Sequence, residues 1–146
     1  MANTIAGISA LIKTKLESIV DGSSNRIIPE VLEYPTGAKT KYPSAEILPT
    51  GVITTKRIEM GNGRNERVIN FRIKLYQENT DAGIAEGATA RVAAAIDAIL
   101  EDFDGDPDLG DEVASIIIES VQIDYAVRFP EASATMDVRC AIIVNV

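Results

Sequence analysis

The sequence predicts an α+β fold: a single, mostly antiparallel sheet of four to five strands with two helices packed on one face. Three observations predict it. Apolar residues recur at helical spacing in two segments, near the start and after residue 81. Strict alternation of apolar and polar residues marks residues 67–77 and both halves of a C-terminal hairpin. Turn chemistry separates these segments, and two hairpins joined through a helix form one sheet whose apolar face the helices can cover.

The first helix is expected over residues 3–20. Ile5, Ile8, Ile12, Leu16, Ile19 and Val20 fall three and four apart on one stripe. Asn3 or Thr4 can cap its start, and Asp21-Gly22 supplies a stop. Residues 26–32 read as an edge strand, since Pro29 is tolerated only at an edge. Residues 33–49 carry three prolines and read as an ordered, irregular loop with an exposed basic tip at Lys39 and Lys41. That tip serves as a contact arm or as a solvated loop.

Strand character returns over 45–58, with a bulge expected at Pro49-Thr50-Gly51. Gly61, Asn62, Gly63, Arg64 and Asn65 form a hairpin loop. Beyond it Ile69, Phe71, Ile73 and Leu75 face one side, and Asn70, Arg72, Lys74 and Tyr76 the other. The second helix, expected over 81–102, carries the stripe Ile84, Ala88, Val92, Ala95, Ile96, Ile99 and Phe103. Its many alanines favour helix and allow close approach to a sheet. In the final hairpin Val121, Ile123, Tyr125, Val127 and Phe129 alternate with polar residues. Its mate is the series Ala134, Met136, Val138, Cys140, Ile142, Val144 and Val146.

Composition limits the chemistry. At 146 residues the chain is one domain's worth, 1–146, and a domain of this size buries ~70% of the surface its unfolded chain exposes. It contains no histidine, which removes the commonest general base and the commonest zinc ligand, along with Ser–His and Cys–His nucleophiles. A net charge of -8 argues against a protein that clamps nucleic acid by neutralising phosphates. One cysteine leaves no intrachain disulfide. The first 20 residues lack a basic region and a contiguous apolar run, so they do not read as a signal peptide. No run approaches the ~18 apolar residues of a membrane span.

The stretch DFDGDPDLGD, residues 102–111, places five aspartates in ten residues. A helix–loop–helix calcium loop counted from Asp104 would have its oxygens at Asp104, Asp106 and Asp108. Its sixth position, however, is Leu109 where glycine is needed, and its twelfth is Ser115 where a bidentate glutamate is needed. The stretch therefore reads as a helix-to-strand connection, with Gly105, Pro107 and Gly110 shaping the turn. Cys140, among Met136, Val138 and Ile142, reads as a buried thiol with no cation on its face to activate it. Gly61-Asn62-Gly63 joins two strands and so is no phosphate cradle. No carboxylate spacing singles out an acid–base pair. Catalytic residues, metal sites and cofactors are accordingly none, and the chain is not read as an enzyme. The charges around the hairpin, Glu59, Arg64, Glu66 and Arg67, form a solvated tip or a contact between subunits.

The element order resembles the tail terminator family of long-tailed bacteriophages. The likeness is carried by the N-terminal amphipathic helix, the strand RVINFRIKLY (67–76) and the alanine-rich second helix. Above all it is carried by the hairpin VQIDYAV (121–127) with ATMDVRCAIIV (134–144). The proline-rich loop, 34–49, is longer than the family plan requires. The resemblance implies a structural virion protein: a homo-oligomer, a hexameric ring, seated on the last ring of the tail tube protein. It implies that the ring ends tail growth, is assembled in the host cytoplasm, and presents a surface to the head–tail connector or head-completion protein. DNA passes through without specific binding, and no membrane is involved.

On that reading Lys39, Lys41, Gly61, Asn62, Gly63, Arg64, Asn65 and Arg67 make subunit or ring contacts. The sheet face with Arg72, Lys74, Tyr76, Asp124, Arg128, Asp137 and Arg139 lines or approaches the lumen. Three rival readings remain: another neck component, such as a head-completion or connector-adaptor protein; a small carboxylate-dependent hydrolase; and a monomeric binding module.

Overall fold

The computed structural model describes residues 4–33, 41–59, 63–78, 85–128 and 131–145, and is α+β. Its elements in chain order are α1 (Ile5–Ser18), β1 (Glu30–Leu32), β2 (Ser44–Glu59), β3 (Arg64–Glu78), α2 (Ala85–Asp104), β4 (Ser115–Arg128) and β5 (Glu131–Asn145). The strands form one open sheet in the order β1-β2-β3-β5-β4. Pairing is antiparallel throughout except between β1 and β2.

Alternation decides which side of the sheet is dry. Ile69, Phe71, Ile73 and Leu75 of β3 are at most 2% exposed, as are Ala134, Met136, Val138, Cys140 and Ile142 of β5. Their cross-strand pairing, Phe71 with Val138 and Ile73 with Met136, keeps one parity of both strands on one side. The apolar stripes of both helices enter the same core: Ile8, Ile12 and Leu16 from α1, and Val92, Ala95, Ile96, Ile99 and Phe103 from α2. α1 lies on β1 and β2, and α2 on β3, β4 and β5.

Thr4 caps α1, its Oγ1 accepting from the Gly7 N–H at 3.0 Å. The stripe expected for α1 holds at its centre and fails at its ends, where Ile5 is 38% and Val20 50% exposed. Ile19 and Val20 lie past the last helical turn, which ends at Ser18. The edge strand expected over 26–32 shrinks to Glu30–Leu32, with only an isolated bridge from Arg26 to Val20 before it. β2 begins at Ser44 and runs through Pro49, which an edge strand tolerates because β1 ends opposite Glu46. The last strand pair starts at Ser115, six residues before the alternation that predicts it becomes regular. A bulge between Ile118 and Ser120 breaks the period there.

Candidate assembly surfaces

The uncovered face of the sheet is polar by alternation, and its charges pair across strands. Arg72 on β3 stands opposite Asp137 on β5, and its Nε donates to Asp137 Oδ1 at 3.1 Å. The other oxygen of that carboxylate, Oδ2, accepts from Ser120 Oγ on β4 at 3.1 Å. Arg139 lies 3.8 Å from Glu119, the residue that the β4 bulge turns aside. Each partner in these pairs is between two-fifths and half exposed. Such pairs contribute ~0–1 kcal/mol to folding, so their main effect here is to balance charge. Lys74 and Tyr76 share the face, opposite Thr135 and Ser133, and Asp124 is exposed on β4. Of the residues expected on this face, only the Arg128 side chain lies outside what is described.

Past the start of β4, β2 and β3 continue as an arm, with β5 paired to β3 as far as Asn145 opposite Arg64. At Gly51 the backbone takes φ 70, and the register jumps from Thr50↔Asn70 to Thr54↔Val68. Glycine supplies that left-handed φ without steric cost, and the extra residues bend the edge strand. Past this bulge Ile53, Lys56, Arg57 and Ile58 are all exposed. Arg57 pairs with Asn65 and Glu59 with Arg64, so the expected contact residues Arg64, Asn65 and Arg67 sit at the arm's end. Arg67 Nε donates to Thr55 Oγ1 at 3.4 Å. Gly63 closes the turn with φ 66, and Lys41 is exposed at the far end of the sheet, just before β2. Lys39, Gly61 and Asn62 lie outside the described residues.

The aspartate-rich connection has a structural duty that the sequence alone does not reveal. Lys15 of α1 donates from Nζ to Asp106 Oδ2 at 2.7 Å and lies 3.2 Å from Asp102 Oδ2. One lysine thus ties the first helix to the end of the second. Burial alone would lower the Lys15 pKa, but its contacts with Asp106 and Asp102 outweigh that and raise it. The same hydrogen bond from Lys15, with a second from the Gly110 N–H, lowers the pKa of Asp106.

Further along, Leu109, Gly110 and Asp111 all adopt positive φ. Gly110 does so freely, whereas Leu109 and Asp111 are held in a conformation that costs about 1 kcal/mol or more each. Asp111 hydrogen-bonds Asp108, and that contact with its repulsion raises the Asp111 pKa. Gly105 has no positive φ, so the turn geometry rests on Gly110. Among the described residues no group of three or more Cys, Asp or Glu side chains is placed to hold a metal ion.

Between the end of α1, residue 27 and the end of α2 lies an open cleft of about 620 Å³, walled by Ile19, Val20, Ile27 and Ala98, with Lys15 and Asp106 at its rim. Cys140 is fully buried, and desolvation pushes its thiol pKa up to about 11, so it is a packing residue. No helix among the described residues is long and apolar enough to cross a membrane.

The described residues thus present a charge-balanced sheet face, an arm and two sheet edges without a strand partner among those residues. Sequence reasoning placed Arg72, Lys74, Tyr76, Asp137 and Arg139 on one face, as the pairing has them. It missed Lys15, Glu119 and Ser120, because helix-to-helix ties and bulges carry no local signal. It also missed the exposure of Ile53, Lys56, Arg57 and Ile58, for which the Gly51 punctuation was the available clue. Compared with protein-family models and with curated proteins, the chain matches none.

Proposed function

We propose that this protein is a structural component of a long-tailed phage virion. In this reading copies form a ring at the head-proximal end of the tail tube, end its growth and join it to the head connector. The observation that carries the reading is the pair of open sheet edges. Among the described residues β2 has no partner on its outer side beyond Glu46, and β4 is the terminal strand on the opposite side of the sheet. The two edges run antiparallel to one another, because β2, β3, β5 and β4 alternate in direction. One copy's β2 can therefore add to the next copy's β4 with normal antiparallel pairing. Such a contact joins two different patches, and a head-to-tail contact whose rotation closes generates a ring.

In that ring the helices pack outside and the polar sheet face lines the channel. Its chemistry suits passage of DNA. With Arg72 balanced by Asp137 and Arg139 by Glu119, the wall offers few uncompensated cations to displace counterions from phosphate. The cheapest test is the native mass of the purified protein. A hexamer of the 15.7 kDa chain supports the reading, and a twelvefold assembly points to a connector-adaptor instead. A monomer at high concentration contradicts both.

A further inference from the structure

The end of the sheet that carries the arm also carries the aspartate-rich turn, and the two have opposite charge. Over residues 53–67 the arm has four cations, Lys56, Arg57, Arg64 and Arg67, against Glu59 and Glu66. The connection 101–112 has seven carboxylates and no cation. The turn lies against the start of β4: the Ile116 N–H donates to the Pro107 carbonyl at 2.8 Å rather than to β5. β4 begins at Ser115, level with Ala141 and hence with Val68. The arm continues from Val68 to Arg64, so it overhangs the start of β4 by ~13 Å at the usual strand rise. Within one subunit β5 and β3 separate β4 from β2, so an arm and a turn on neighbouring edges belong to different copies.

We propose that the cationic arm of one copy docks on the aspartate-rich turn of the next, with Lys56 and Arg57, which project from opposite faces of the strand, straddling the turn that carries Asp104 and Asp108. This inference rests on the ring reading and names the contact that fixes its register. Where β2 of one copy pairs antiparallel with β4 of another in the register the strands keep within a subunit, Thr54 level with Ser115, the arm runs past residue 115, where the turn stands. Backbone pairing between edges is tolerant of slippage by two residues, because a slip of two keeps every side chain on its face. A charged overhang that matches only one position removes that freedom. Lys15 is engaged by Asp102 and Asp106, while Asp104 is exposed and Asp108 partly so.

The test is a charge swap followed by sedimentation velocity. Lys56→Glu with Arg57→Glu reverses the arm, and Asp104→Lys with Asp108→Lys reverses the turn. All four positions lie outside the core, and thermal melts and circular dichroism verify that each variant folds. Each reversal alone is expected to raise the concentration needed for assembly about tenfold or more, and the four-residue swap to restore most of it. Single reversals that assemble like the wild type overturn the pairing while leaving the ring intact. A swap no better than either reversal also overturns it. A wild type that stays monomeric removes the ring reading and this contact together.

Discussion

At the scale of residues, the two ion-pair sets have different duties. The Lys15 side chain is only 17% exposed and joins helices far apart in sequence. Lys15→Met is expected to cost about 1–2 kcal/mol, a charge-assisted hydrogen bond discounted for partial exposure of the aspartates. Its pH dependence has a definite sign. The Lys15 pKa is raised on folding, so its contribution is complete below the unfolded value near ~10.4 and is lost as pH rises through the folded value. The Asp106 pKa is lowered, so its contribution is complete above ~3.9 and is lost as pH falls through the folded value. Melting curves of wild type and variant should therefore differ most between about pH 4 and pH 10 and converge outside that window. Equal melting across the window would show that the tie is idle. Asp137 differs, because it neutralises Arg72 on an exposed face. Asp137→Asn should leave the melting temperature within a degree or two yet create salt-sensitive retention of duplex DNA, read by mobility shift.

At the scale of elements, period-two alternation made β3 and β5 legible, because both have one dry face and one wet face. The helical stripes were legible for the same reason at period 3.6. Phe71 is the test of that reading: fully buried where β3 meets β5, its replacement by alanine should cost ~3–5 kcal/mol in denaturant unfolding. A loss under about 1 kcal/mol would mean that the sheet face is not the core. Three elements were illegible for identifiable causes. β1 has three residues and takes its existence from β2, not from any pattern of its own. The first residues of β4, Ile116, Ile117 and Ile118, are a continuous apolar run in which Ile117 is 52% exposed, so alternation is hidden. The Lys15 tie spans 91 residues, and no local spacing encodes it. The arm was half legible, since its glycines announced a bulge and a turn without saying that the strands between would run past the start of β4. Arg64→Glu with Arg67→Glu should weaken assembly and leave the monomer's melting curve in place. An unchanged oligomer would exclude those two residues from the contact.

At the scale of the whole molecule, one organisation accounts for the parts. Both helices and one parity of the strands enter a single core, and among the described residues nothing packs on the opposite sheet face, the two edges or the arm. Open edges are a hazard that a solitary protein blunts, and here they carry exposed Ile53, Ile58 and Ile117. Copies joined edge to edge would cover those residues and turn the hazard into an interface. The most direct measurement is electron microscopy of the purified chain at assembling concentration. The account predicts closed rings with a central hole, helices on the rim and the Arg72–Asp137 face towards the hole. Solitary particles, or rings whose lumen is lined by the helices, would contradict it.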